Sequence, residues 1–168
     1  AVQAVCEQAA EGEVVSAVNF NSPGQVVIAG QTEAVQRAMA LAKESGAKRA
    51  VQLPVSVPSH CALMQPAAEA FAKHLDAASI TTPSIRVMQN VDALLHDDPG
   101  RIRENLNKQL YSPVQWVRSV RAMHEQGVSR IVEAGPGKVL TGLCKRIEKS
   151  ITAAAVFDQE SLVAALQA

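Results

Sequence analysis

One histidine stands out for its setting. In the run Leu53-Pro54-Val55-Ser56-Val57-Pro58-Ser59-His60-Cys61-Ala62-Leu63-Met64, two prolines stiffen an apolar, extended segment. That segment delivers an imidazole where a helix is predicted to begin. An imidazole takes and returns protons near neutrality, so the chemistry on offer is general acid–base catalysis. His60 also ends a strand-like run, and in open α/β sheets ligands collect at the carboxyl ends of strands. Its neighbours fit less well as reacting groups. Adjacent side chains of an extended chain point to opposite sides, so Ser59 is read as shaping a pocket rather than as a nucleophile. Nothing local would lower the pKa of Cys61, which is set aside. No Gly-x-Ser-x-Gly elbow occurs anywhere in the chain. A base is present without its nucleophile, and the sequence reads as part of an enzyme.

Other motifs have plainer readings. Gly135-Pro136-Gly137-Lys138 imitates a phosphate loop, but Val139 stands where a Walker motif needs Ser or Thr. A tight strand-to-helix turn explains it, with Lys138 a surface charge. Asp97 and Asp98 fit a polar turn and a helix cap. His60, His74, His96 and His124 show no ligand spacing, and no metal is expected. Cys6, Cys61 and Cys144 are widely separated and odd in number, which argues against a disulfide framework or zinc site and for a reducing, cytoplasmic setting. Acids and bases balance to a formal charge of zero, whereas a nucleic-acid binder usually shows a basic excess. The basic clusters Lys48-Arg49, Arg118 with Arg121, and Lys145-Arg146 with Lys149 read first as solvated ends of elements. No stretch approaches the roughly 18 to 20 apolar residues of a membrane span.

The elements that must position these residues follow from periodicity. At 168 residues with nearly half of them apolar, the chain can bury a core, and its Val-rich runs beside Ala-rich stretches suit α/β architecture. A helix is expected over 1–10, with strands at Val14–Phe20 and Gln25–Ala29 around an Asn21-Ser22-Pro23-Gly24 turn. The next helix is capped by Thr32 and ended by Ser45-Gly46. A strand at Lys48–Leu53 then gives a split βαββαβ unit without its first strand. The chain opens Ala1-Val2-Gln3 with neither Met nor a capping residue, which reads as a start inside a helix with an upstream portion missing. From Pro54 the pattern becomes a helix over about Met64–Ala77, a short strand at Ile85–Gln89, and a helix started by Asp98-Pro99 carrying Ile102, Leu106 and Leu110. A further helix starts at Ser112-Pro113 and buries Val117, Val120 and Met123. A strand at Ser129–Ala134, a helix over Lys138–Lys149, a strand at Ala153–Phe157 and a helix from Gln159 complete it.

Four segments converge on one family: Asn19 to Gly30, Leu53 to His60, Gln109 to Trp116 (Gln-Leu-Tyr-Ser-Pro-Val-Gln-Trp), and Glu133 to Leu140 (Glu-Ala-Gly-Pro-Gly-Lys-Val-Leu). In order and spacing they resemble malonyl-CoA:acyl carrier protein transacylase, specifically the carboxyl-terminal portion of the bacterial stand-alone enzyme. The resemblance implies an α/β fold: an incomplete ferredoxin-like subdomain over 1–53, then part of an α/β-hydrolase-like core over 54–168. It implies malonyl transfer from coenzyme A to the phosphopantetheine thiol of acyl carrier protein through an acyl-serine, in fatty acid biosynthesis and with no cofactor of its own. His60 matches the family's catalytic histidine, and Gln109 the residue whose main-chain carbonyl orients it. Asn21, Gln25 and Ser59 fall at substrate-lining positions, and Lys48 and Arg49 suit contact with an acidic carrier protein. The family's serine elbow, malonyl-pairing Arg and oxyanion-hole Gln lie upstream of the matched portion. The partners expected are malonyl-CoA, acyl carrier protein and the missing amino-terminal part, with neither nucleic acid nor membrane. The alternatives are a non-catalytic module that docks the carrier protein, and an acyltransferase of the same fold using another acyl-CoA.

Overall fold

The computed structural model describes residues 1–167. Helix α1 (Val2–Ala10) is followed by strands β1 (Val15–Ser22) and β2 (Gln25–Gly30) and helix α2 (Thr32–Glu44). The strands form an antiparallel hairpin closed by Pro23-Gly24, where Gly24 takes the positive φ of 77° that the turn requires. Val5, Cys6, Ala9, Val15, Ala34 and Ala38 make one buried cluster between the hairpin and its helices. Small residues dominate the facing positions, so the two helices pack closely. Arg37 on α2 clamps them further, donating to the Ala9 and Ala10 carbonyls at the end of α1 and to Glu13, where a cation meets the negative end of the helix dipole.

Two register shifts interrupt the hairpin, leaving Val18 and Asn21 unpaired across it. Such bulges bend a strand and re-aim its side chains. Val18, buried, uses its carbonyl to accept from the Val114 amide at 2.8 Å, and Phe20 donates to Val114 at 3.1 Å. Val114 thereby lies parallel against the outer edge of β1 at Asn19. This pairing is why the helix expected from Ser112-Pro113 starts later, at Trp116. Gln31 rather than Thr32 is the N-cap of α2; its side chain accepts from the Val14 amide at 2.7 Å while its own amide bonds the Val14 carbonyl at 2.8 Å.

The strand expected at Lys48–Leu53 does not form. Residues 48–53 are irregular, and Val51 and Leu53 are each 53% exposed. A strand requires a partner, and none of the described residues pairs with this segment; the unit present is α–β–β–α. The strand expected at Ile85–Gln89 is likewise reduced to a single bridge, Met88 to Leu95, with Ile85 79% exposed.

Beyond His60 a single 3₁₀ turn (Ala62–Met64) leads into α3 (Gln65–Ala77), then α4 (Pro99–Lys108) and α5 (Trp116–Glu125). Strand β3 (Arg130–Ala134), α6 (Val139–Ile147), β4 (Thr152–Val156) and α7 (Gln159–Gln167) follow. Strands β3 and β4 are parallel and in register from Arg130–Thr152 to Ala134–Val156, joined by α6 as a crossover. A second buried cluster, Val120, Cys144, Ile147, Ile151 and Ala153, sits between α5, α6 and this sheet. Asp98 caps α4 through the Arg101 amide at 2.6 Å, with Pro99 at the first helical position. The fold is mixed α/β. No helix among the described residues is long and apolar enough to cross a membrane.

The Gly135-Pro136-Gly137 turn carries no open anion site. The Glu133 carboxylate accepts from the Leu140 amide at 3.1 Å and from the Thr141 amide and hydroxyl at 2.7 and 2.8 Å, occupying the donors that a phosphate would need. Desolvation works to raise the Glu133 pKa, but these bonds outweigh it and hold the carboxyl below its ordinary range. A depressed carboxyl adds stability above its unfolded value of about 4.3, lost as pH falls through the folded value. Glu133→Gln should therefore lower the melting temperature at neutral pH, and the gap to the parent should narrow below about pH 4. A gap independent of pH would show that the charge is idle.

Candidate active site

His60 is half-buried and sits in the left-handed region, φ 67°, a conformation that a non-glycine residue adopts reluctantly and that clusters at functional sites. The backbone is held there by neighbours on both sides. The Ser59 amide bonds the Val57 carbonyl at 2.9 Å, and the His60 amide donates to the Leu110 carbonyl at 2.9 Å. The Cys61 thiol, 2% exposed, donates to the Pro58 carbonyl at 3.2 Å. Burial pushes that thiol's pKa up, so it stays protonated and serves packing.

Among the described residues the ring has one hydrogen-bond partner. His60 Nδ1 lies 2.6 Å from the main-chain carbonyl oxygen of Gln109. A carbonyl can only accept, so Nδ1 must carry the hydrogen, and in the neutral ring Nε2 keeps a lone pair to take up a proton. Gln109 closes α4, with its amide bonded to the Asn105 carbonyl at 2.9 Å. Arg103 of α4 donates to the Leu75 and Ala78 carbonyls at the end of α3. The helix that follows the histidine is thereby tied to the helix that precedes its orienting carbonyl.

The remaining sequence-predicted residues are placed differently. Asn21 is the bulged residue of β1, on the strand whose Phe20 bonds Val114, a few residues beyond Gln109. Gln25 does not turn toward the ring: its Oε1 accepts from Arg146 at 3.0 Å and from Ser22 at 3.4 Å, so it joins the hairpin to α6. Ser59 is half-buried beside the histidine. Lys48 and Arg49 are exposed on the loop after α2. Sequence reasoning missed the strained φ at His60, the Arg146 partner of Gln25, and Asn105. The last had a signal, an amide within the helical face otherwise read from Ile102 and Leu106. No cluster of three or more His, Cys, Asp or Glu that could hold a metal occurs among the described residues. An open hollow of about 450 Å³ lies between β4 and α7, lined by Ser129, Arg130, Thr152 and Ala165 among others, and includes none of these site residues.

A half-buried imidazole whose Nδ1 meets a main-chain carbonyl, on a mixed α/β scaffold, offers a proton acceptor for general acid–base chemistry. Over almost its whole length the chain is similar to malonyl CoA-acyl carrier protein transacylases. The enzyme of Escherichia coli strain K12 is 56% identical over 162 residues, 96% of this chain and 52% of the relative. That of Bacillus subtilis is 44% identical over 94% of this chain and 50% of the relative. The crystal structure of an acyl carrier protein S-malonyltransferase from Vibrio cholerae superposes with a TM-score of 0.97 at 57% identity, over 98% of this chain and 54% of that one. A malonyl-transacylase solved in complex with its type II polyketide acyl-carrier protein gives 0.97 at 51% identity, over 99% and 54%. No family model matches the chain. The chain spans about half the length of the curated relatives it matches.

Proposed function

We propose that this chain supplies the acid–base half of a malonyl-CoA:acyl carrier protein transacylase, as a carboxyl-terminal portion of such an enzyme. The observation that carries the reading is the 2.6 Å contact of His60 Nδ1 with the Gln109 carbonyl, in a chain this similar to those transacylases. Nε2 accepts the proton of a serine hydroxyl as its oxygen attacks the malonyl thioester carbonyl. The imidazolium then returns that proton to the coenzyme A thiolate as the carbon–sulfur bond breaks. The phosphopantetheine thiol of acyl carrier protein repeats the exchange in reverse, taking the malonyl group and restoring the serine. A neutral carbonyl fixes the tautomer, as an acidic partner would, but stabilises imidazolium less.

The serine comes from polypeptide outside this sequence, and so do the groups that select malonyl. Residues 1–53 form the incomplete ferredoxin-like subdomain and 54–168 part of the α/β-hydrolase-like core, with Val51, Leu53, Val55 and Val57, all exposed here, as surface for the rest of the enzyme to cover. Asn21 and Ser59 line the acyl pocket; Gln25 shapes its hairpin through Arg146. Lys48 and Arg49, exposed and basic, meet the acidic carrier protein and chiefly speed encounter. No resident cofactor enters the reaction, and the enzyme works in the cytoplasm.

Grafting this chain in place of the matched half of the Escherichia coli relative tests the reading. The chimera should transfer radiolabelled malonyl from coenzyme A to acyl carrier protein, while the 168-residue chain alone should take up no label. A folded chimera without transfer, or label bound covalently to the chain alone, would overturn it.

A further inference from the structure

Asn105 is the buried residue of α4, 2% exposed, and a buried amide is costly unless its hydrogen bonds are met. Its Nδ2 donates to Asp92 Oδ2 at 3.0 Å. The same oxygen accepts from His96 Nε2 at 2.8 Å, and Oδ1 accepts from the Leu94 amide at 3.2 Å, with the Arg101 guanidinium 3.9 Å away. Asp92 lies in a tight loop closed by the Met88–Leu95 bridge and by the Gln89 amide on the Leu94 carbonyl at 2.9 Å, with Ala93 at φ 57°. This loop also grips the far end of the segment that follows α4, because the Asn90 carbonyl accepts from the Gln115 amide at 3.0 Å. The two carbonyls that hold His60, those of Gln109 and Leu110, thus lie on a stretch pinned by one loop at both ends.

We infer that Asn105 and Asp92 are positioning residues for the His60 imidazole: their hydrogen bond sets the end of α4 so that the Gln109 carbonyl meets Nδ1 and fixes the tautomer. Free imidazole side chains exchange the proton between both nitrogens, and the bond made by one nitrogen decides which form persists. A slack α4 terminus would withdraw the carbonyl and release the Nε2–H form, which has no lone pair at Nε2 to accept a proton. The inference deepens the reading of His60 as the base and rests on it for its consequence in catalysis.

The test reads the tautomer directly, without turnover. Side-chain nitrogen spectra of the ¹⁵N-labelled 168-residue chain, taken where imidazoles are neutral, should show His60 as Nδ1–H, with exposed His74 as the internal reference. Asn105→Leu, similar in size but without the donor, should lower the Nδ1–H to Nε2–H ratio of His60 about two- to tenfold, the worth of one hydrogen bond. The exchange Asp92→Asn with Asn105→Asp rebuilds an amide–carboxylate pair and should restore the ratio, which loss of packing alone would not do. Should Asn105→Leu lose its β1–β2 cross-strand signals, Asp92→Ala, which removes the acceptor, carries the same measurement. An unchanged ratio in the folded variant overturns the clamp and leaves the base reading standing; full activity without the histidine would instead remove the base.

Discussion

Replacing His60 with asparagine in the chimeric enzyme is expected to slow formation of the malonyl-serine by about 10²–10⁴-fold, the usual worth of a positioned acid–base group. That range corresponds to about 3–5 kcal/mol of barrier. Asparagine is the informative choice because it tolerates the left-handed backbone at this position, whereas alanine would add conformational strain to the loss of the ring. The hydrogen bond of the residue 60 amide to Leu110 is main-chain and should survive the change. Binding of malonyl-CoA, measured separately, should alter far less than the single-turnover acylation rate. An acylation rate equal to that of the parent would show that some other group takes the serine proton.

The second large effect is structural. A Cβ built on Gly30 would stand 2.0 Å from the Val14 carbonyl oxygen and 2.6 Å from Val15 Cα. Both obstacles are backbone, and both are locked: Val15 pairs Gly30 across the hairpin, and Gln31 bonds both polar groups of Val14. Neither can yield as a flexible side chain would. Gly30→Ala should therefore destabilise the chain by about 3 kcal/mol or more, at or beyond the top of the overpacking range, a large share of a typical domain's 5–15 kcal/mol. Gly24→Ala is the control. Its added methyl meets open space, and only the positive φ opposes it, at about 1–2 kcal/mol. Denaturant midpoints of the two variants give the comparison, and equal losses would contradict the steric account.

Helices α1, α2, α3, α4 and α6 were legible because their signals are local: apolar spacing, the Asp98 cap of α4, a glycine stop. Gly24 announced its turn for the same reason. The strands expected at Lys48–Leu53 and Ile85–Gln89 had the right composition, but extended segments become strands only where a partner offers its amides, and composition is silent on partners. Asn21 could be named from the resemblance, yet its bulge depends on how β1 meets β2. Likewise nothing near Ser112-Pro113 reveals that Val114 will be taken up by β1 and delay α5. At the site, the contact of the His60 ring with the Gln109 carbonyl is the one the resemblance implies. Asn105 was not legible, because its burial depends on an acid thirteen residues earlier that only a folded loop brings within reach.

The bond between Gln25 and Arg146 spans 121 residues of chain. Contacts so remote in sequence carry the largest closure entropy and come late when a polypeptide folds. The hairpin, zipped across its own short turn, can be complete while α6 is still unmade. During synthesis the paired hairpin thus leaves the ribosome before α6, which settles onto it later.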